Sequence, residues 1–193
     1  MSKPALRKLI KQQLKSAKEG NVQLTLASLE SIPSFANASK VGLFISMPQG
    51  EVQTMPIIKY CFDQGKQVYL PRCHSTPHNW MQLLRVNSYK EVQSLTPQGK
   101  YQLLEPLVGE DILDTGRLDV LIMPGVAFSP TLQRIGHGAG FYDRWIASYH
   151  QKYGITPQLI GIGLKEQLVE NIPIENHDWP LDAVVIEDKI YKK

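Results

Sequence analysis

The segment that most constrains the fold is LDVLIMPG, residues 118–125, in which Val120–Met123 are apolar without alternation and Pro124 and Gly125 close the run. A strand with one wet face alternates polar and apolar residues. An unbroken run of this length is the pattern of a strand covered on both faces, as the inner strands of a parallel sheet are. Similar short runs recur at VGLFIS (41–46), QVYLP (67–71), LIGIG (159–163) and AVVIE (183–187), with MQLLRV (81–86) as a further strand candidate. Helical stretches lie between them: one opened by Thr54 and stopped at Gly65, one from Phe141 to about Tyr153, and one beginning near Lys165. The order strand, helix, strand across residues 41–71 is the sequence form of a parallel crossover. Ser88 with Glu91 makes a capping-box pattern for a short helix. This alternation argues for an α/β fold, a three-layer sandwich with a mostly parallel central sheet and helices on both faces. No repeat, low-complexity tract or linker divides residues 1–193, so one domain is expected.

The N-terminal segment is an amphipathic helix by spacing. Leu6, Leu9, Ile10, Leu14 and Ala17 recur at helical intervals, with Ser2 as the cap and Pro4 in the first turn. Lys3, Arg7 and Lys11 then form a cationic stripe at four-residue spacing, whose plain reading is a solvated face. A second helix is expected over Val22–Leu29, before the turn residues Pro33 and Ser34.

A net charge of +3 without a basic stripe interleaved with aromatic platforms argues against nucleic acid as a partner. No apolar run approaches the roughly 18 residues of a membrane span. Cys61 and Cys73 have no metal-ligand spacing and are too few to staple the chain, which points to a reducing compartment. Six cations, Lys3, Arg7, Lys8, Lys11, Lys15 and Lys18, precede the first acid, Glu19, as in an organelle transit peptide. Transit peptides favour Arg over Lys, so the expected location is the cytoplasm, with the mitochondrion as the alternative.

In open α/β sheets ligands bind beyond the carboxyl ends of the strands, which directs attention to the loop after residues 118–125, PGVAFSPTLQRIGHGAGFYDRW. Gly136, Gly138 and Gly140 alternate and lead directly into a helix. Backbone amides in such a loop can approach an anion while the helix N-terminus adds donors and a favourable dipole. The loop lacks the Lys and hydroxyl pair of a Walker loop and the spacing of the dinucleotide fingerprint. Arg134 can fork onto phosphate oxygens, His137 can donate or shuttle a proton, and Asp143 lies where a carboxylate can hold a hydrated magnesium ion.

This loop resembles the signature of the 5-formyltetrahydrofolate cyclo-ligases, also called 5,10-methenyltetrahydrofolate synthetases: R-(L/I)-G-x-G-x-G-(Y/F)-Y-D after a strand ending in PG. KPALR (3–7), FISM (44–47) with GEVQT (50–54), QVYLPR (67–72) and LKEQLVENIPIENHDWPLDAVV (164–185) resemble the family's other segments in the same order. The resemblance implies an ATP- and magnesium-dependent ligase. Lys3, Pro4, Ala5, Leu6 and Arg7 would contact ATP, together with Arg134, Ile135, Gly136, His137, Gly138, Ala139, Gly140, Phe141 and Tyr142. Ile45 and Glu51, with His137 to Phe141, would contact the folate, and Asp143 and Asp178 would hold Mg2+. Arg134, His137 and Tyr142 are the candidate catalytic residues.

The implied chemistry is attack of the formyl oxygen on the terminal phosphoryl group of ATP, followed by attack of nitrogen 10, loss of phosphate and closure of the methenyl bridge. It calls for positioning and charge neutralisation more than for a protein nucleophile. This chain departs from many members in having His137 and Ala139 where they carry Arg and Lys; Lys3, Arg7 and Arg72 are the cations available to compensate. Two other readings use the same residues. One is a sugar-phosphate isomerase on a similar scaffold, which would need no nucleotide; the other is a folate-binding protein without turnover.

Overall fold

The computed structural model describes all 193 residues. Helix α1 (Lys3–Leu14) is followed by α2 (Val22–Glu30), the single turn α3 (Pro33–Ala36), strand β1 (Lys40–Gly42), α4 (Met55–Asp63) and the long hairpin β2 (Gln67–His74) and β3 (Trp80–Val86). After α5 (Tyr89–Gln93) come the small hairpin β4 (Pro97–Gln98) and β5 (Leu103–Leu104), the short α6 (Ile112–Thr115) and β6 (Val120–Met123). The hairpin β7 (Ala127–Phe128) and β8 (Arg134–Ile135) then leads into α7 (Phe141–Tyr153), β9 (Gln158–Gly163), a 3-10 turn at Lys165–Gln167, β10 (Ala183–Ile186) and β11 (Lys189–Lys192).

Seven strands form one sheet in the order β11-β10-β9-β6-β1-β2-β3. The five inner strands are parallel, and β11 and β3 close the edges antiparallel. Alternate strand residues point to opposite faces, so Val41, Val68, Val120, Ile122, Ile160 and Ile162 pack against α2, α3 and α4 through Leu29, Phe35, Ile57, Ile58 and Cys61. On the other face Tyr69, Leu83, Leu121, Met123 and Leu159 meet Trp145, Ile146 and Tyr149 of α7. These are the three expected layers.

The chain leaves β1 on one side to build β2 and reaches β6 on the other. That reversal opens a crevice at the carboxyl ends of β1 and β6, the place where open α/β sheets take their ligands. Helix α1 belongs to neither layer. Its Leu6 and Ile10 pack with Val126, Ala127, Ile135 and Ile172, which seats the helix on the segment following β6.

Several elements differ from the sequence reading. The strand expected over 41–46 is paired only to Gly42, with one further bond from Leu43 N–H to Tyr69 O, because the chain then turns into a loop closed by Thr54. The helix expected near Lys165 is one 3-10 turn: the Phe128 carbonyl takes the Val169 N–H, and this pairing draws the chain out straight. The loop after β6 contains the β7–β8 hairpin, and Glu187, at φ 52, turns β10 back into the unexpected strand β11. In α1, Leu9 is exposed and Ala17 lies past the helix end.

Candidate active site

Two loops and one helix face meet at the crevice. The loop from Phe44 to Thr54 is held by the fully buried Thr54, whose hydroxyl donates to Phe44 O (2.6 Å) and accepts from Ser46 N–H (2.9 Å). Glu51 is 8 % exposed and its Oε2 accepts from Met47 N–H at 2.8 Å, which leaves Oε1 facing His137 Nε2 at 3.8 Å. Ile45 is half-buried in the same loop. A short polar turn thus becomes a rigid ring around a nearly enclosed carboxylate.

Across the crevice runs the glycine loop. Gly138 (φ 105) and Gly140 (φ 77) adopt backbone conformations that favour glycine, and Gly140 is the first residue before α7, with no side chain capping that helix. None of the eight backbone N–H groups from Gly136 to Asp143 donates to an acceptor in the chain. Eight consecutive free donors ending in a 13-residue helix form a nest for an anion with a dipole behind it.

The cations around this nest are fixed by the fold. Arg134 is nearly enclosed: its Nη1 donates to Pro124 O (3.1 Å), its Nη2 lies 3.7 Å from Asp143, and the guanidinium carbon sits 5.5 Å from the Tyr142 ring centre. Burial pulls its pKa down from the ordinary value, opposed by the charges of Asp143, Tyr142 and Asp178. Burial also lifts the Tyr142 phenol well above its usual range, so it stays protonated at neutral pH and can donate a hydrogen bond. Arg7 reaches from α1 to give Gly136 O a 2.7 Å hydrogen bond from Nε. The cationic stripe is therefore not simply a solvated face, although Lys11 is exposed. Arg72 is engaged elsewhere, donating to Leu107 O.

Lys3 lies against the C-terminal segment, its ammonium 2.6 Å from Asp178 and 2.9 Å from Glu175. Glu175, His177 and Asp178 bring their ligating atoms within 4.8 Å of one another. This carboxylate set already accommodates a cation, the lysine ammonium, and its hard oxygen donors suit Mg2+. Asp143, the other sequence-predicted metal residue, has Arg134 as its ion-pair partner, and both aspartates act on that guanidinium.

The sequence reading assigned no role to four side chains near the crevice. Glu105, 5 % exposed, accepts from Cys73 N–H (3.0 Å), its pKa raised by burial, and lines a recess with Tyr101 and Phe141. Asn79 and Arg144 bind the Ala139 carbonyl. Glu175 and Arg144 stood inside segments already singled out; Asn79, in the turn between β2 and β3, and Glu105, just after β5, come from distant parts of the chain and carry no local signal. A larger cavity of about 340 Å³ lies between β3, α6 and the outer flank of α7 and contains none of the sequence-predicted residues.

The family model for the 5-formyltetrahydrofolate cyclo-ligase family matches residues 1–187. The chain belongs to this family. It is therefore an enzyme, a ligase of folate metabolism. It is 40% identical over 174 residues to the 5-formyltetrahydrofolate cyclo-ligase of Saccharomyces cerevisiae, covering 83% of this chain and 82% of that one. With the Mus musculus 5-formyltetrahydrofolate cyclo-ligase it shares 34% identity over 194 residues, 97% and 94% of the two chains. The solved Aquifex aeolicus 5,10-methenyltetrahydrofolate synthetase superposes with a TM-score of 0.75 at 27% identity, covering 100% of this chain and 93% of the other. This cyclo-ligase family member also has no helix long and apolar enough to cross a membrane.

Proposed function

We propose that the chain closes 5-formyltetrahydrofolate to 5,10-methenyltetrahydrofolate in the crevice between β1 and β6, converting ATP to ADP and phosphate. The observation that carries the ATP half of this reading is the row of free amides from Gly136 to Asp143. Such a row suits a polyphosphate, and phosphoryl transfer depends on donors already in place where charge develops.

In this reading the glycine loop, from Ile135 to Tyr142, holds the phosphates, and Lys3 to Arg7 flank them from α1. The enclosed Arg134 neutralises the transferred phosphoryl group, and the Tyr142 phenol donates a hydrogen bond beside it. Glu51, with one oxygen tied to Met47 N–H, offers the other to the donor edge of a pterin, next to Ile45 and the His137–Phe141 stretch. His137, which faces Glu51, would hold or pass a proton between folate and phosphate. Asp178 and Asp143 are the proposed magnesium residues, joined by Glu175; a bound Mg2+ would supply positive charge to neutralise the phosphates. A cytoplasmic location is part of the proposal, supported by two free thiols, one buried and one half-buried.

The test is direct. Protein, 5-formyltetrahydrofolate, ATP and magnesium are mixed and the near-ultraviolet band of the methenyl product is followed, with each component left out in turn. Product is expected only from the complete mixture. Folded protein giving no more product than a protein-free control overturns the proposal, and turnover without ATP would favour a different chemistry at the same loop.

A further inference from the structure

The Ala139–Gly140 peptide is bounded on its C-terminal side by Gly140, at φ 77 and without a Cβ, so rotation about that flank meets little steric resistance. A trans peptide carries its C=O and N–H on opposite sides. Whichever way the Ala139 carbonyl points, the Gly140 N–H points the other, and a flipped plane would present an oxygen to an incoming anion. The structure holds this plane from outside the loop. Ala139 O accepts from Arg144 Nη1 at 3.1 Å and from Asn79 Nδ2 at 3.3 Å, and the same Arg144 nitrogen donates to Asn79 O at 2.9 Å.

The three groups form a closed cluster drawn from distant parts of the chain. Arg144 is in the first turn of α7, and Asn79 sits in the turn between β2 and β3, 60 residues before Ala139. That turn is stiffened in its own right: Trp80 Nε1 donates to Thr76 O (3.0 Å) and the Trp80 ring stacks on His74 at 4.0 Å. At the other end of the loop Arg7 makes the equivalent bond to Gly136 O, turning the His137 N–H away from α1. The loop is thus tied back by its carbonyls at both ends.

We propose that Arg144 and Asn79 are positioning residues for the phosphate site, fixing the Ala139–Gly140 peptide so that the Gly140 amide faces the anion. The inference rests on the reading of the glycine loop as the ATP phosphate site. It also gives a physical role to a methyl-bearing residue at position 139: the contribution there comes from a clamped backbone.

The experiment compares wild type with Asn79→Ala, Arg144→Ala, Arg144→Lys and the Asn79→Ala/Arg144→Ala double variant. ATP binding is measured by calorimetry without folate, the KM values for ATP and for 5-formyltetrahydrofolate are determined separately, and thermal midpoints serve as a fold control. Both alanine variants should weaken ATP binding, by about tenfold for Arg144→Ala, the scale of a lost charge-assisted hydrogen bond. The KM for ATP should rise more than the KM for the folate, with the thermal midpoint nearly unchanged. Arg144→Lys should recover part of the loss. The double variant should fall short of the product of the single effects, because both act on one peptide. If Asn79→Ala binds ATP as wild type does while Arg144→Ala loses affinity in a strongly salt-dependent way, Arg144 acts as a distant charge and the clamp is wrong. Wild type that neither binds ATP nor forms product would overturn the underlying reading; normal wild type with normal variants would overturn the clamp alone.

Discussion

Replacing Lys3 with Met tests the join between α1 and the C-terminal segment. The Lys3 ammonium and the Asp178 carboxylate are 2.6 Å apart, with side chains only 13% and 16% exposed, whereas Glu175, at 2.9 Å, is 58% exposed. The exposed arm is worth at most about 1 kcal/mol. The enclosed, charge-assisted arm contributes about 1.5–3 kcal/mol. Lys3→Met keeps the length of the chain and removes both, so the expected loss is about 2 kcal/mol, or roughly 4–8 °C in thermal midpoint for a protein of this size.

The pH dependence has a definite sign. Burial pushes the Asp178 carboxyl up, but the Lys3 ammonium and the Glu175 N–H outweigh it and hold the pKa below the ordinary 3.8. A depressed acid stabilises above its unfolded pKa and loses that contribution as pH falls through the folded value. Burial pulls Lys3 down, and its two carboxylate partners raise it above 10.5, so its contribution is lost as pH rises through that raised value. The gap between wild type and Lys3→Met should be full from about pH 5 to 9 and shrink below about pH 4. Magnesium should raise the midpoint of Lys3→Met more than that of wild type, because the substitution leaves two carboxylates without their cation. Calorimetric scans with and without magnesium measure both effects. Equal midpoints at pH 7, or a gap unchanged in acid, would refute the reasoning.

Asp143→Asn and Asp178→Asn should each raise the magnesium concentration needed for half-maximal turnover without unfolding the protein; unchanged magnesium curves in both would remove the proposed metal role. Gly161→Ala should destabilise by about 1–3 kcal/mol in urea unfolding, since a methyl there would lie 2.5 Å from the Phe128 ring and 2.8 Å from Leu181, and an unchanged midpoint would show that the core yields. Burial pushes the Cys61 thiol up to about 12, and burial together with Glu105 raises Cys73 as well. Native protein at pH 8 should therefore react slowly with a disulfide reagent and release two equivalents only on unfolding; rapid release from the native state would contradict the burial.

Local pattern was enough for the inner strands and for α7, because an unbroken apolar run has few places to go except between two layers of helix. Phe141–Tyr153 forms as read, opened by Gly140 and stopped by Gly154. The glycine loop was legible for the same reason: three glycines before a helix have a local conformational meaning. What the sequence could not express is which distant groups the fold brings to that loop. The short helical turn at Lys165 yields to pairing with β7, and β11 exists because β10 leaves an edge to be covered, both tertiary effects that override local propensity. Lys3 meets Asp178 across 175 positions, Arg7 meets Gly136 across 129, and Asn79 meets Ala139 across 60. Residue types and spacing determine which groups are available for chemistry; only the packing of α1 and the β2–β3 turn against the crevice decides which carbonyl each cation holds, and so which amides remain free.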